Sequence, residues 1–363
     1  MPSADLDKRC YLAIQSTVSF IQKKSFASCK VESGKQMIIS KIIGSGSCLP
    51  DRVIPNSHFD YLVENADEWI FSRTGIRERR FAHADQATSD LATVAAKNAL
   101  EAAGIKASEI DCIIVGTSTP DMSLPSTACM VQENIGAKNA FAFDVNAVCS
   151  SFVYALEIAD NFIKCGKYKT VMAIGADTYS KILDFNDKNS CPLFGDGAGA
   201  AILSRGGDST KGIQHTYMRS DGKGWPLIQV PSSGSRKPVT PDSIEAREVY
   251  FQMAGKQVYV FATDVIPDII NTLCAKSGIT PADLDYIIPH QANVRMIDFI
   301  AKKSGFPKER FLLNLDRCGN TSAASVALVL DENLRNGTIK PGHLVLAMGF
   351  GGGLTWGGLL IRF

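Results

Sequence analysis

The sequence predicts an α/β protein in which helices cover and separate two sheets, built from two similar halves. Short apolar segments of strand character alternate with helix-like segments along most of the 363 residues. Two segments of the first half recur 174 residues later. Apolar strands that alternate with helices are typical of mostly parallel sheets covered on both faces. A repeat of this length indicates that the two halves share one topology.

The repeat is carried by two independent matches at the same spacing. The matching segments are 102–116 with 275–290 and 167–177 with 342–352. In the second pair Gly175 aligns with Gly349. We therefore expect an N-terminal half over 37–210 and a C-terminal half over 211–363.

The first half contains the elements of one complete unit. Apolar residues at helical spacing predict a helix over 90–104, which ends at a glycine. Buried strands are predicted over 111–118, 140–147 and 170–177, and a second helix over 151–166. In the second half the predicted helix at 322–334 is strongly apolar, as expected for a helix between two sheets.

Composition limits the classes of function. Hydrophobic residues make up 45% and charged residues 21%, as in soluble globular proteins. A formal net charge of +1 argues against nucleic-acid binding. We expect no membrane insertion, because no apolar stretch reaches the ~18 residues that a spanning helix needs. Ten dispersed cysteines without a CxxC pair indicate reduced thiols in a cytoplasmic compartment and no metal site.

Residues 1–36 differ from the rest of the chain. They carry six Lys or Arg against three acids but no apolar segment ahead of a small-residue cleavage site, so a secretory signal is not expected. We interpret them as a non-catalytic extension, with import into an organelle as the alternative.

Cys149 is the candidate nucleophile. It follows a predicted strand and begins a predicted helix, where the positive end of the helix dipole favours the thiolate. A free thiol has a pKa of ~8.5, so a modest lowering would increase the reactive fraction near neutral pH. The alternative for Cys149, and our interpretation of the other cysteines, is an unreactive buried thiol.

Three further segments complete a set suited to thioester chemistry. His290 ends an apolar strand, where it is either a core residue with satisfied hydrogen bonds or a hydrogen-bond donor to a ligand. Asn320 precedes the apolar helix, where it is either a helix cap or a hydrogen-bond donor. Neutral His and Asn side chains can together stabilise an enolate oxygen. The glycines of 349–357 let backbone N–H groups approach a carbonyl closely. The glycine-rich segment 194–201 precedes a strand instead of following one into a helix, so it does not predict a dinucleotide site.

From Met37 to Phe363 the chain resembles the β-ketoacyl-acyl carrier protein synthase III family of the thiolase superfamily. The segments EWIFSRTGIRERR, FGDGAGAA, IPHQAN, GNTSAAS and FGGGLTWG occur in the family's order. The resemblance implies a thiolase-like five-layered αβαβα sandwich and a homodimer. It also implies a condensing enzyme that starts fatty acid biosynthesis and needs no metal or other cofactor.

The resemblance assigns roles to the catalytic segments. Cys149 would take an acyl group from acyl-CoA, acetyl-CoA being the expected donor. His290 and Asn320 would then stabilise the enolate formed when malonyl-acyl carrier protein loses CO2. The backbone N–H groups of Cys149 and Gly352 would form the oxyanion hole.

The resemblance also implies two binding surfaces. Four residues would bind CoA, with Trp69 stacked on the adenine and Asn293 beside the pantetheine arm; the other two are Arg73 and Lys188. On the helix that follows His290, three basic residues would contact the acidic carrier protein, although they are equally explained as a solvated face: Arg295, Lys302 and Lys303.

Several positions depart from the family pattern. Ser151 and Lys256 stand where Gly and Asn are usual, and Lys188 where Arg is common. Leu124 occupies a position at which some members place a Phe that closes the acyl pocket of the partner subunit. A smaller residue there predicts tolerance of longer or branched primers.

Three other interpretations remain open at this stage. The first is a specialised paralogue that uses longer or branched primers or acts in secondary metabolism. A papain-like hydrolase uses the same three residue types but lacks duplicated halves. A non-catalytic acyl-CoA-binding protein is disfavoured because Cys149 is present.

Overall fold

The architecture is taken from a computed structural model that describes residues 38–208 and 210–363. The predicted N-terminal extension over 1–36, with its suggested role in import, lies outside the described residues.

The strands fall into two large sheets and two short two-stranded ribbons. In chain order they are β1 (Ile39–Cys48), β2 (Val53–Pro55), β3 (Glu78–Arg80), β4 (Cys112–Gly116), β5 (Phe141–Val145), β6 (Thr170–Asp177), β7 (Gly197–Gly206), β8 (Gly212–Ser220), β9 (Ile228–Gln229), β10 (Gln252–Met253), β11 (Tyr286–Pro289), β12 (Leu344–Gly351) and β13 (Thr355–Arg362).

The α-helices include every helix that the periodicity predicts. In chain order they are α1 (Ala66–Thr74), α2 (Thr88–Ala103), α3 (Thr127–Ile135), α4 (Ser151–Lys164), α5 (Pro241–Glu245), α6 (Gly255–Ser277), α7 (Val294–Ser304), α8 (Leu315–Cys318) and α9 (Ala324–Arg335). Helix α2 ends at Gly104, whose φ of 65° is a conformation that glycine adopts at low cost.

The two large sheets have corresponding strand orders but are not mostly parallel. The first has the order β1-β7-β6-β4-β5, and the second reads β8-β13-β12-β11. Only the pairs β4–β5, β4–β6 and β11–β12 are parallel, so the prediction of mostly parallel sheets is wrong. The cause lies in the connections: no helix longer than one turn separates β6 from β7 or β12 from β13, and these strands pair antiparallel.

The pairing register repeats between the halves. In the first sheet Cys112 pairs with Val171, and in the second Tyr286 pairs with Val345. Both pairs are 59 positions apart along the chain. Equal registers place the strand ends of the two halves at equivalent positions. The predicted division at 210/211 falls between β7 and β8.

The layers follow from the three main apolar cores. The central core joins α4 and α9 to the inner faces of both sheets. A second core packs α2 and α3 on the outer face of the first sheet, and a third packs α6 and α7 on the outer face of the second. The order is therefore helix, sheet, helix, sheet, helix, which confirms the predicted five-layered αβαβα sandwich.

The glycine-rich segment before the predicted strand is itself part of a strand. Strand β7 begins at Gly197, earlier than the sequence pattern suggested. A Cβ added at Gly199 would lie 2.5 Å from the Cβ of Ala327 in α9. Because only glycine allows this close approach, the segment is explained by packing of the central helix.

One described helix departs from the expectation about apolar length. By length and composition alone, α6 could cross a membrane. Its side chains Ile266, Ile269 and Leu273 are buried against the second sheet. The helix is an outer layer of the sandwich, which accounts for its apolar composition.

Candidate active site

The structure brings Cys149, His290 and Asn320 to one cavity of about 210 Å³. These residues come from the end of β5, the end of β11 and the segment before α9, which are far apart in the chain. Apolar side chains such as Phe350 and Val258 line the rest of the cavity. Both halves therefore contribute to one site.

Cys149 lies in a short turn between β5 and α4 rather than inside the helix. The turn spans Val148–Ser150, and Val148 has a φ of 49°, which is unfavourable for a β-branched residue. The Ser151 hydroxyl accepts a hydrogen bond of 2.8 Å from the backbone N–H of Ala147. The serine that replaces the family's usual glycine thus closes the turn around the nucleophile.

The ionisation predicted for Cys149 is wrong in direction. Burial raises the pKa of its thiol to about 12, and a hydrogen bond from Ser322 lowers it by less than burial raises it. Desolvation in the enclosed cavity outweighs the helix N-terminus because the charged form loses its hydration. With this pKa, Cys149 is a neutral thiol near pH 7.

His290 directly follows β11 and is 2% exposed. Its backbone N–H donates to the carbonyl of Met348 at 2.8 Å, and its Nδ1 lies 2.7 Å from the hydroxyl of Ser325. The Ser325 contact leaves Nε2 as the ring nitrogen available to a ligand. Burial lowers the pKa of His290 to about 3, so the imidazole is neutral near physiological pH.

Asn320 does not cap helix α9, because that helix begins at Ala324. Its side-chain Oδ1 accepts a hydrogen bond of 2.9 Å from the backbone N–H of Ser322. Its own backbone bonds the 193–195 segment, with the N–H donating to Leu193 and the carbonyl accepting from Gly195. The side-chain NH2 group of this fixed amide remains available to the cavity.

The glycine turn lies against the nucleophile. A Cβ at Gly351 would lie 2.9 Å from the Cβ of Cys149, and one at Gly352 would lie 3.1 Å from Cγ2 of Val148. Backbone in this turn therefore approaches the Cys149 segment without an intervening side chain. The oxyanion hole formed by Cys149 and Gly352 stays a prediction.

Three of the four predicted CoA-binding residues are joined by contacts. On α1, the Arg73 guanidinium lies 4.5 Å from the centroid of the Trp69 ring. The Asn293 side chain donates to the Arg73 carbonyl at 3.2 Å and also lines the catalytic cavity. Lys188 is exposed in a loop next to Asn189, which lines the same cavity.

The basic residues predicted to meet a carrier protein lie on α7. Arg295, Lys302 and Lys303 are exposed, and the Arg295 guanidinium donates to the carbonyl of Ser72 next to Arg73. Lys256, where the family usually has Asn, is exposed on the first turn of α6. The roles of these residues stay predictions.

Leu124 does not reach the catalytic cavity of its own chain. Its relative exposure is 82%, the largest among the exposed apolar residues of the described ranges. The predicted contact of Leu124 with a partner subunit stays a prediction.

Three polar residues of the site were missed by the sequence reading. Ser322 donates to the sulfur of Cys149 at 3.4 Å, Ser325 contacts His290, and the fully buried Asp177 accepts the N–H of Ala323 at 3.0 Å. Ser322 and Ser325 lie in the segment that carried Asn320, but small polar residues near a helix start are so common that they gave no signal. Within residues 38–208 and 210–363 no cluster of three or more His, Cys, Asp or Glu side chains is arranged to hold a metal.

Known proteins match both the sequence and the fold. Residues 143–222 match the family model 3-oxoacyl-[acyl-carrier-protein (ACP)] synthase III, and residues 274–363 match the model of its C terminal part. A β-ketoacyl-[acyl-carrier-protein] synthase III of Caldanaerobacter subterraneus is 46% identical over 90% of this chain and 99% of its own length. That of Clostridioides difficile is also 46% identical, over 89% and 98%.

A solved structure agrees with these matches. The 3-oxoacyl-[acyl-carrier-protein] synthase III of Aquifex aeolicus superimposes with a TM-score of 0.82 at 41% identity. The superposition covers 89% of this chain and all of the other. Such similarity extends over the whole described fold.

Proposed function

The chain belongs to the 3-oxoacyl-[acyl-carrier-protein] synthase III family, and from that membership we propose the role of each residue in its active site. The protein is a condensing acyltransferase that joins an acyl group from acyl-CoA to malonyl-acyl carrier protein, the first condensation of fatty acid biosynthesis. The proposal assigns acyl transfer to Cys149 and enolate stabilisation to His290 and Asn320.

In the first half-reaction Cys149 attacks the thioester carbonyl of acyl-CoA. The bond from Sγ to the acyl carbon forms, the bond to the CoA sulfur breaks, and the thiol proton leaves with free CoA. The glycine turn at Gly351 and Gly352 supports an oxyanion hole here, because it places backbone close to Cys149. Two-stage transfer through a covalent intermediate predicts ping-pong kinetics.

In the second half-reaction malonyl-acyl carrier protein loses CO2. The electrons of the breaking C–C bond form a thioester enolate, whose oxygen accepts hydrogen bonds from His290 and Asn320. Both donors are neutral, His290 because burial lowers its pKa to about 3. The enolate carbon then attacks the acyl carbon, the bond from that carbon to Sγ of Cys149 breaks, and the β-ketoacyl product leaves while the thiolate takes up a proton from solvent. Decarboxylation itself supplies the nucleophile, so we propose that no metal or redox cofactor takes part.

The observation that carries this assignment is the convergence of the three side chains on one buried cavity. A thiol, a neutral imidazole and a fixed amide are the groups that acyl transfer and enolate stabilisation require. Asn293, Arg73 and Trp69 extend outward from the cavity and support binding of CoA along that path. Apolar lining favours an acyl chain and excludes water.

The exposed basic face of α7 is proposed to bind the acidic carrier protein. With a net charge of only +1, the chain has no general basic surface. A local cluster of basic residues on α7 would therefore orient the acidic carrier protein as it approaches. Changing Lys302 and Lys303 to Glu should raise KM for malonyl-acyl carrier protein, with a smaller effect at high salt. Lys41→Glu, an exposed change elsewhere, is the matched control.

A homodimer is proposed to form along β5. This strand is an edge of the first sheet and pairs only with β4 in the described chain. On β5 the rings of Phe141 and Phe143 stack with centroids 6.2 Å apart, and Phe162 of α4 packs at a tilt against Phe141 at 6.0 Å. Phe141 is 39% exposed. An exposed apolar edge strand has unpaired backbone groups that favour pairing with another chain, and the edge strand of a second copy would pair with them. In such a dimer Leu124 would enter the acyl pocket of the partner.

The test of function is intact-protein mass after mixing with acetyl-, butyryl-, isobutyryl- or octanoyl-CoA. We expect a gain of one acyl group in the wild-type protein and none in Cys149→Ala. His290→Ala should still take up the acyl group but should lose decarboxylation of malonyl-acyl carrier protein. Absence of any adduct on the wild-type chain would contradict the assignment. The free thiols of all eight described cysteines support a cytoplasmic enzyme.

A further inference from the structure

We propose that two serines of the segment before and within α9 divide the two half-reactions between them. Ser322 stabilises the sulfur of Cys149 during acyl loading, and Ser325 orients the ring of His290 for decarboxylation. This division rests on the proposed function of Cys149 and His290. The two serines are three residues apart, and each contacts a different catalytic side chain.

Ser322 is fully buried, and its hydroxyl donates to Sγ of Cys149 at 3.4 Å. Its φ of 49° is a left-handed conformation that a serine adopts only when its surroundings impose it. Two hydrogen bonds impose it here: the Ser322 N–H donates to Asn320, and the next N–H, that of Ala323, donates to Asp177. Backbone held in this way directs the hydroxyl at the nucleophile.

Asp177 is the fixed anchor of this arrangement. It directly ends β6, is fully buried, and receives the backbone N–H groups of Ser118 and Thr119 at 2.8 and 3.0 Å on Oδ1. Its other oxygen receives Ala323. The carboxyl therefore ties the first sheet to the segment that carries Ser322, and its charge also raises the pKa of the nearby Cys149 thiol.

Acyl loading is the step in which the Cys149 sulfur gains negative charge. The thiol is neutral at rest and must lose its proton as the new S–C bond forms, and that proton ends on the CoA sulfur. In a buried site, one O–H donor aimed at the sulfur stabilises this charge. Ser322 is such a donor. The charge returns to the sulfur only when the enolate displaces it from the acyl group, after CO2 has left, so Ser322 has no corresponding role in decarboxylation.

Ser325 acts on the other half-reaction. It is fully buried in the first turn of α9, and its hydroxyl lies 2.7 Å from Nδ1 of His290. Phe350 packs edge-on against the ring at 5.2 Å between centroids. Together these contacts fix the ring plane and reserve Nε2 for the malonyl thioester. Ser325 is thus a positioning residue for enolate formation.

The test measures each half-reaction separately in Ser322→Gly and Ser325→Ala. Glycine suits the positive φ at position 322, and alanine suits a helix, so both variants keep the fold. Thr321→Val is the control, because the Thr321 hydroxyl is buried without a hydrogen-bond partner in the described part of the chain. Acyl loading is followed by the mass of the protein, and decarboxylation by CO2 release in a single turnover of fully acylated enzyme.

Loss of one charge-assisted hydrogen bond predicts an effect of about tenfold. Ser322→Gly should load acetyl groups about tenfold more slowly, shift the pH profile of Cys149 alkylation to higher pH, and release CO2 at the wild-type rate once acylated. Ser325→Ala should load normally but show a lower kcat for CO2 release with an unchanged KM. Thr321→Val should match the wild type in both steps.

Equal losses in both half-reactions for either variant would overturn the division, and so would wild-type rates in both variants. These results differ from a failure of the proposed function itself. In that case the wild-type chain would take up no acyl group on Cys149 or release no CO2.

Discussion

Val148 and Ser322 have the same φ of 49° and lie 174 positions apart. Each follows an asparagine by two residues, and in each case the asparagine Oδ1 accepts the backbone N–H: Asn146 from Val148 at 3.2 Å and Asn320 from Ser322 at 2.9 Å. The turn that presents Cys149 and the turn that carries Asn320 are therefore one structure used twice. The position equivalent to Cys149 in the second turn is Ala323.

Each of the two turns packs against a strand of the other half. Gly175 of β6 lies under the second turn, where an added Cβ would be 2.3 Å from the carbonyl oxygen of Ala323. Gly349 of β12 lies under the first, where an added Cβ would be 3.0 Å from Cα of Ser150. A strand of each half thus supports the turn of the other half, β12 under the turn that presents Cys149 and β6 under the turn that carries Asn320.

These two glycines give a matched pair of variants. Gly175→Ala should lower the free energy of unfolding by about 3 kcal/mol and Gly349→Ala by about 1 kcal/mol, because both clashes are with backbone atoms and the first is at the shorter distance. Gly222→Ala, with no atom within 4 Å of the added Cβ, should change little. Urea unfolding measures all three. An equal loss in the two core variants would contradict the distances.

The buried His290 predicts a dependence of stability on pH. Its pKa falls from its ordinary value near 6.5 to about 3 in the folded chain because burial disfavours the charged ring. Below pH 6.5 the imidazole of His290 therefore binds a proton in the unfolded chain but not in the folded chain. Above pH 6.5 protonation of His290 therefore does not reduce the free energy of unfolding. As pH falls from 6.5 toward 3, the free energy of unfolding declines by about 1.4 kcal/mol per pH unit.

His290→Gln removes this proton-binding group. Between pH 6 and pH 4 the unfolding free energy of the wild type should decline more steeply than that of the variant. Denaturant unfolding at several pH values gives both slopes. Parallel curves would show that His290 is not held neutral by burial.

The buried Arg79 side chain is expected to stabilise the fold near Asn320. This fully buried guanidinium donates to the carbonyls of Ile54 and Pro192 at 3.0 and 2.6 Å and to Asn56 at 2.7 Å. Burial lowers the pKa of Arg79 to about 10. Arg79→Lys cannot reach all three acceptors, so we expect a loss of about 3 kcal/mol in unfolding free energy.

The exposed Arg52→Lys is the control for Arg79 and should stay within about 0.5 kcal/mol of the wild type. Urea unfolding is again the measurement. Similar values for the two arginine variants would argue against a structural role for the buried one.

Leu124 predicts the choice of primer. If its side chain enters the pocket of the partner, the smaller residue leaves room for longer acyl groups, and rates with acetyl- and hexanoyl-CoA should be comparable. Leu124→Phe should reduce hexanoyl loading about tenfold, as steric exclusion in an apolar pocket allows, and spare acetyl loading. Strict use of acetyl-CoA by the wild type would refute the idea. Met122→Phe, exposed in the same loop, controls for bulk alone.

Periodicity and repeat spacing were sufficient to predict the layers and the two central helices. The roles of Cys149, His290 and Asn320 rest on their motifs and the family resemblance and stay predictions. The repeat was visible in the strands because buried apolar residues are needed at both copies. It was not visible in the turns: residues 146–151 and 320–325 share only Asn and Ser at their ends. The hydrogen bond from the backbone to the shared asparagine side chain maintains that likeness, although the other side chains differ.

The state of the nucleophile was not predictable from local sequence. Position at a helix start indicated a thiolate, but the pKa of Cys149 depends on how completely residues such as Phe350 and Ile228, distant in the chain, enclose it. The direction of the neighbouring strands was missed for a similar reason. Antiparallel pairing of β6 with β7 depends on the path of the connection, which apolar patterns do not encode.

The burial of Cys149 also bears on its survival under oxidising conditions. Peroxides react with thiolates, and a thiol with a pKa of about 12 has almost none at neutral pH. Cys129 and Cys165, in contrast, are exposed to solvent. Among the cysteines of residues 38–208 and 210–363, oxidants in solution thus reach these two surface sulfurs first. The enclosure that keeps Cys149 a neutral thiol until substrate binds therefore also protects it from oxidation between turnovers.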